Sequence, residues 1–356
     1  MSERVLMKGN EALAEAAIAA GCRHFFGYPI TPQTEVAAYM AKRMPKVNGV
    51  YLQAESEVAS INMVLGAAAA GVRVMTSTSS PGVSLMAEGI SYIAGSDLPM
   101  LIVNVQRGGP GLGGIQPSQA DYFQATKSTG HGDFHMIVLA PSTVQEMVDL
   151  VAGAFELGDR YRMPTMVLSD GMLGQMMEPV VLPEPTGDEL PEKPWAACGH
   201  GGEREHNVVN SLYIQPHDLE RLVIERYKRY DEIKRKEQRA EEYLTEDAEI
   251  IVVAYGASSR VSRSAVNKAR EEGIKAGLIR PITLWPFPDD AIGKAADSKK
   301  TKRFLTVEMS MGQMVEDVRL AVNGRKPVEF YGRAGGMIPS PRAIVEKMQQ
   351  ILGGKA

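Results

Sequence analysis

Met100–Val105 is a near-continuous apolar run, too short for a buried helix and without the alternation of a half-wetted strand. Such a strand must be covered on both faces, and the flanking stretches supply the cover. Asn10–Ala20 is almost all Ala, Leu and Ile with two glutamates, and it stops at Gly21; it reads as a helix buried on most sides. The same alternation then repeats. Strands are expected at His24–Phe26, Val50–Gln53, Val72–Thr78, Met136–Ala140 and Thr165–Ser169. Helices are expected at Thr34–Lys42, Val58–Ala70 (closed by Gly71), Gly82–Ala94 and Thr143–Leu157, the last capped by Pro141-Ser142. Strand and helix in strict turn imply a parallel α/β sheet with crossover helices.

At 356 residues the chain can hold two cores. The first domain is expected over 1–215, with 179–215 an irregular arm rich in Pro, Gly and charge. A charged helical linker follows over 216–247, in which Leu219, Leu222, Val223, Tyr227, Tyr230 and Ile233 fall at helical spacing. A second α/β domain is expected over 248–356, with strands at Ile250–Ala254, Lys275–Ile279 and Phe304–Glu308 and a proline-stiffened stretch at Arg280–Pro288. A net charge of −4 gives no bulk attraction for nucleic acid. Neither a signal-peptide pattern nor a membrane-length apolar run is visible, so a cytoplasmic location is expected. Two cysteines, Cys22 and Cys198, imply no disulfide framework.

Four stretches could carry chemistry. Tyr28-Pro29-Ile30-Thr31-Pro32 follows the first strand. Its prolines fix a stiff, irregular turn at a strand's C-terminal end, where open parallel sheets bind ligands. On the residues alone, a loop that needs only to be rigid is the plainer reading. Glu55 and Glu57 lie at the next strand-to-helix junction, where acids complement a helix dipole. Glu57 leads into Val58, Ala59, Ile61 and Met63 and so risks burial, which demands a partner or raises the pKa. Ser79-Ser80-Pro81-Gly82 offers hydroxyls and free backbone donors, which ordinary helix capping by serine largely explains. Arg107 ends the Met100–Val105 strand and opens a loop with five glycines in eight positions. A guanidinium there can grip a carboxylate with two parallel hydrogen bonds, or can pair with a nearby acid such as Asp121.

Other features are weaker. The glycine loop lacks dinucleotide spacing and a Walker lysine. Cys198, His200 and His206 make a poor metal set, and His131 reads as a surface or interface residue. Ser169-Asp170-Gly171 lacks the first glycine of a Gly-Asp-Gly metal motif, and no asparagine follows before Asn207.

Taken together, Tyr28–Pro32, Gln106-Arg107-Gly108-Gly109-Pro110-Gly111-Leu112-Gly113, Pro117-Ser118-Gln119 and Asp121–Lys127 resemble the alpha subunits of 2-oxoacid:ferredoxin oxidoreductases, nearest the branched-chain (2-oxoisovalerate) type. The likeness extends over nearly the whole chain. It implies a pyrimidine-type thiamine-diphosphate-binding, doubly wound domain followed by a transketolase C-terminal-like domain. It implies that Glu57, rather than Glu55, hydrogen-bonds N1′ of the cofactor's aminopyrimidine, and that Thr31 and Arg107 hold the substrate, with Tyr28, Pro29 and Ile30 lining the cofactor side. The expected reaction is CoA-dependent oxidative decarboxylation of a 2-oxoacid, with electrons passed singly to ferredoxin. The diphosphate, Mg2+ and [4Fe-4S] clusters would belong to beta, gamma and ferredoxin-like delta partners. The same scaffold could serve 2-oxoglutarate, pyruvate or an aryl-glyoxylate, or be a non-catalytic assembly subunit with a degenerate site.

Overall fold

The computed structural model describes residues 4–127, 129–186 and 190–353; residues 187–189 of the expected arm lie outside them. In chain order the first half runs β1 (Val5–Lys8), α1 (Gly9–Ala19), β2 (His24–Gly27), α2 (Thr34–Arg43), β3 (Val50–Gln53), α3 (Glu57–Ala69), β4 (Val74–Thr78), α4 (Pro81–Gly95) and β5 (Met100–Gln106). Then come α5 (Tyr122–Thr126), β6 (Ile137–Leu139), α6 (Val144–Tyr161), β7 (Pro164–Asp170), α7 (Gly171–Gln175) and β8 (Met177–Val180). After the arm follow α8 (Pro216–Lys236), β9 (Ala240–Tyr243), β10 (Ile250–Val253), α9 (Gly256–Glu271), β11 (Ala276–Pro281) and β12 (Thr283–Trp285). The chain closes with α10 (Asp289–Asp297), β13 (Arg303–Glu308), α11 (Met314–Val322), β14 (Val328–Gly332) and α12 (Pro341–Gly353).

The seven-stranded sheet has the order β12-β6-β7-β5-β4-β2-β3. All its pairs are parallel except β12 on β6. Every residue of β4, β5 and β7 is buried, the polar residues near their carboxyl ends included, as central parallel strands covered on both faces require. β2 lies between β3 and β4, so the chain first steps one way from β2 and then returns past it. That makes the carboxyl ends of β2 and β4 a topological switch point, where sheets of this kind bind ligands.

The second sheet has the order β14-β13-β10-β11-β9, with only β9 antiparallel. Two strands cross the divisions that composition suggests. β9, from the charged linker stretch, forms the edge of the second sheet. β12, from the Arg280–Pro288 stretch, pairs with β6 in the first. The arm packs on the first domain: the Thr186 and Ala197 amides donate to the Ala19 and Ala69 carbonyls. Lys193 and Arg73 share Asp159 at 2.7 and 2.8 Å in a buried triad. In α8 the expected apolar face is only partly used. Tyr230 and Ile233 are buried, but Leu219 and Tyr227 remain exposed, and Arg226 is buried instead because it pairs with Asp97 at 2.9 Å. α6 is capped by the Thr143 hydroxyl, which accepts from the Glu146 amide at 3.0 Å, rather than by Ser142, which bonds the Glu146 carboxylate.

Candidate functional site

The Tyr28–Pro32 turn closes β2 and is held from below by two buried amides that the sequence pattern does not flag. Gln33 donates to the Tyr28 carbonyl at 2.9 Å and accepts from the Ser77 hydroxyl at 2.8 Å. Asn10 donates to the Pro32 carbonyl at 2.9 Å and to the Glu35 carboxylate at 3.0 Å. Tyr28 and Thr31 are thereby left exposed at the sheet edge, with Pro29 and Ile30 half-buried.

Glu57 is the first residue of α3. Ser56 caps that helix by accepting from the Ala59 amide at 3.2 Å, and Ser60 ties it to the Phe26 carbonyl at 2.7 Å. Burial separates the two acids: Glu55 is exposed, whereas Glu57 is 5% exposed. Among the described residues no side chain or amide bonds the Glu57 carboxylate, so a buried acid is left without the partner its burial demands. The opposing wall is α4. A Cβ on Gly82 would lie 2.0 Å from Thr78 Oγ1 and 2.8 Å from Glu57 Oε1, so glycine is what lets α4 approach these groups so closely. The Thr78 and Ser79 hydroxyls there are buried without partners.

The expected serine cap of α4 does not form. Ser80 sits at the cap position with no capping bond. Its hydroxyl instead donates to Asp121 Oδ2 at 2.5 Å and accepts from the Arg107 amide at 3.0 Å. Asn104 completes the cluster, accepting from the Ser80 amide at 3.0 Å and donating to Asp121 at 2.9 Å. Burial pushes the Asp121 carboxyl above the usual carboxylate range, against the bonds from Ser80 and Asn104.

With Asp121 engaged in this way, Arg107 does not pair with it. The Arg107 side chain is 8% exposed and has no ion-pair partner among the described residues. Nη1 donates to the Thr31 carbonyl at 2.9 Å; Nη2 has only a long 3.5 Å contact to the Leu112 carbonyl, and Nε is buried without an acceptor. A buried guanidinium with unused donors, beside Thr31, is suited to an incoming carboxylate.

The other features take structural roles. Asp170 caps α7 by accepting from the Met172 and Leu173 amides at 2.9 and 3.2 Å. His131 is exposed, its carbonyl accepting from Ser91. The His200 and His206 rings lie 4.2 Å apart, but no metal-binding group of three His, Cys, Asp or Glu occurs among the described residues.

Arg107 and Thr31 are thus tied by a hydrogen bond, and Glu57 and Thr78 meet at Gly82, all at the carboxyl ends of the central strands. A family model described as "Pyruvate flavodoxin/ferredoxin oxidoreductase, thiamine diP-bdg" matches residues 15–251, and one described as "Pyruvate:ferredoxin oxidoreductase core domain II" matches residues 248–344. The chain belongs to the 2-oxoacid:ferredoxin oxidoreductases. Among curated members of the family, it is 51% identical to the ketoisovalerate oxidoreductase subunit VorB of Methanothermobacter thermautotrophicus, covering 98% of each chain. It is 40% identical to the 2-oxoglutarate synthase subunit KorA of the same organism, over 99% of this chain and all of that one. A solved 2-oxoglutarate:ferredoxin oxidoreductase from Magnetococcus marinus, with 2-oxoglutarate, coenzyme A and succinyl-CoA bound, superposes with a TM-score of 0.87 at 30% identity. The superposition covers 98% of this chain and 65% of that one, so the chain spans about two-thirds of the length of that relative. No helix among the described residues is long and apolar enough to cross a membrane.

Proposed function

We propose that this chain supplies the aminopyrimidine half of a thiamine-diphosphate site in a complex that oxidises a branched 2-oxoacid, 2-oxoisovalerate best fitting the relatives, to its acyl-CoA. One observation carries the reading: Glu57 is buried and unpartnered, at a close approach of α4 that only Gly82 permits. A carboxylate so placed suits a ring nitrogen that shares a proton with it. Bound there, thiamine diphosphate supplies the nucleophilic carbon that attacks the 2-oxo group and the electron sink that accepts the electrons left by carbon dioxide.

The chain's own residues do the rest. Glu57 would hold a proton at the aminopyrimidine N1′, the partnerless Thr78 and Ser79 hydroxyls would offer further polar contacts, and Tyr28, Pro29 and Ile30 would help to hold the cofactor. Arg107 takes the substrate carboxylate, and Thr31 orients the oxo group. The diphosphate and its Mg2+ belong to a beta partner, since Asp170 is occupied as a helix cap. The iron–sulfur clusters belong to other subunits, gamma and delta, since two cysteines, one buried and one exposed, cannot ligate a cluster.

The test is Glu57→Gln in the complex reconstituted from all its subunits. The expected result is a loss of 2-oxoacid-dependent ferredoxin reduction of at least about a hundredfold, with the complex still assembled. Full turnover in the variant would support the assembly-subunit alternative. Rates compared across 2-oxoisovalerate, 2-oxoglutarate, pyruvate and an aryl-glyoxylate fix the substrate.

A further inference from the structure

The Arg107 side chain makes one hydrogen bond of ordinary length, to the Thr31 carbonyl. A guanidinium on a long stem grips a carboxylate well only where its own main chain is fixed. Here the main chain leaves β5 and enters a glycine-rich loop, which by itself fixes little. Ser80, from the turn between β4 and α4, supplies the restraint. Its oxygen lies 3.0 Å from the Arg107 amide, which donates to it, and 3.2 Å from the Arg107 carbonyl. One hydroxyl thus straddles both main-chain polar groups of Arg107.

A hydroxyl carries a single proton. Asp121, at 2.5 Å, takes it in preference to a carbonyl at 3.2 Å, because a carboxylate is the stronger acceptor. The lone pairs of the Ser80 oxygen are then left for the Arg107 amide. Asn104 ties the two partners together: its oxygen accepts from the Ser80 amide, and its nitrogen donates to the same Asp121 oxygen. Gln106 adds a tie, its side-chain oxygen accepting from the Asp121 amide at 3.2 Å. Asn104 and Gln106 are two residues apart on β5, hence on one face of the strand, and both are buried. Asp121 therefore accounts for the polar end of an otherwise apolar strand. It is in turn anchored from the second domain. Gln313 accepts from the Phe123 amide and donates to the Ala120 carbonyl, each at 2.7 Å, and so clamps the chain on both sides of Asp121.

We infer that Asp121 and Ser80 are positioning residues for the 2-oxoacid: Asp121 fixes the Ser80 hydroxyl, the hydroxyl fixes the main chain of Arg107, and the guanidinium is thereby aimed at the incoming carboxylate. Both act through Arg107 rather than on the substrate. The same bonds occupy the Asp121 carboxylate, so it does not compete for the guanidinium. The inference rests on the role proposed above for Arg107. A cluster that only satisfied buried polar groups would, when broken, weaken folding and every ligand alike. One that aims Arg107 affects the 2-oxoacid alone.

The test uses the reconstituted complex carrying Asp121→Ala, Asp121→Asn, Ser80→Ala or, as a control on the underlying reading, Arg107→Ala. The KM for the 2-oxoacid, kcat and the Kd for thiamine diphosphate are measured for each. Asp121→Ala and Ser80→Ala are each expected to raise the 2-oxoacid KM about tenfold, with kcat and the thiamine diphosphate Kd within about twofold of wild type. Asparagine keeps an oxygen that can accept from Ser80 but not the charge, so Asp121→Asn is expected to bring the KM back to within about threefold of wild type. Should Asp121→Ala fail to assemble, Ser80→Ala, which removes a single oxygen, decides. A 2-oxoacid KM unchanged in Ser80→Ala, or a thiamine diphosphate Kd that rises in step with it, would overturn this inference alone, provided that Arg107→Ala does raise the 2-oxoacid KM. An Arg107→Ala complex with a wild-type KM overturns the role of Arg107, and this inference with it.

Discussion

Gly82 is where sequence, packing and chemistry meet in one atom that is missing. Alanine there would favour the helix by about 1 kcal/mol on propensity alone. Its Cβ, however, would stand 2.0 Å from Thr78 Oγ1 and 2.8 Å from Glu57 Oε1. Threonine is β-branched and stiff at χ1, so it cannot simply swing aside, and overpacking of this kind costs about 1–3 kcal/mol. The clash therefore wins over propensity. Gly82→Ala is expected to lower stability by about 1 kcal/mol, and to weaken thiamine-diphosphate binding in the complex by more than its stability loss explains, because Glu57 is displaced. Urea midpoints and cofactor titrations read the two effects separately; an affinity equal to wild type would show that the position of Glu57 does not matter to the cofactor. At this scale the sequence was informative about types but not about partners. Glu57 and Arg107 stand out as charges beside apolar runs. What distinguishes them from Glu55 and Asp121 is burial without a partner, which only the fold reveals. Gln33 and Asn10 look like ordinary polar residues, and their work on the turn depends on contacts with Ser77 and Pro32, far away in the chain.

Elements built from local signals were legible, and those built from distant pairing were not. β3 is found at the residues its apolar run occupies, and glycine stops mark the ends of α1 and α3 within a residue or two. β1 and β8 pair only with each other, and β12 finds β6 across more than a third of the sequence, so these pairings have no local pattern to read. Helix caps fall between these cases. Ser80 has the right residue type in the right place, but Asp121 and Arg107 compete for its hydroxyl and win. Asp170 does cap, and at a cost. Full burial pushes its carboxyl up to about 6, against bonds from the Leu173, Met172 and Ala257 amides. In the unfolded chain an aspartate titrates near about 3.9. Between those values the folded chain holds a proton that the unfolded chain has lost. The contribution to stability is therefore complete below about pH 4 and lost as pH rises to about 6, a loss of about 3 kcal/mol. Asparagine keeps a capping oxygen but cannot ionise. Asp170→Asn is expected to flatten this part of the stability–pH curve, seen as a smaller gap between urea midpoints at about pH 4.5 and pH 7. An undiminished gap would assign the slope to other groups.

For the molecule as a whole, the question is what joins the two sheets so that loops from both can shape one edge. Gln119 is the centre of that join. Its amide donates to the Met309 carbonyl at 2.9 Å, its side chain donates to the Tyr255 carbonyl at 2.8 Å, and its side-chain oxygen accepts from the Met309 amide at 3.0 Å. The Tyr255 hydroxyl closes the set on the Gln119 carbonyl at 3.3 Å. A few residues on, Tyr122 donates to Asp317 at 2.6 Å, and Lys127 pairs with the same acid at 2.6 Å. The two kinds of contact should differ sharply in worth. Lys127 is 46% exposed along its side chain, and such pairs contribute about 0–1 kcal/mol. Gln119 is fully buried, so removing its side-chain amide strands the Met309 amide away from water, at about 1–3 kcal/mol, whereas the Tyr255 carbonyl still accepts from the Ser258 hydroxyl at 2.8 Å. Gln119→Ala is therefore expected to destabilise the chain by about 1–3 kcal/mol, and Lys127→Ala by less than about 1 kcal/mol. Hydrogen exchange distinguishes a loosened join from general unfolding: the Met309 amide should lose protection in Gln119→Ala while amides in β4 and β5 keep theirs. If all of these amides lost protection together, the two sheets would be one cooperative unit and Gln119 one bond among many. If only Met309 did, the join would be a local seam, and the loops that reach across it, Gly335–Gly336 against Gln116 among them, would owe their position at the candidate site to this one glutamine.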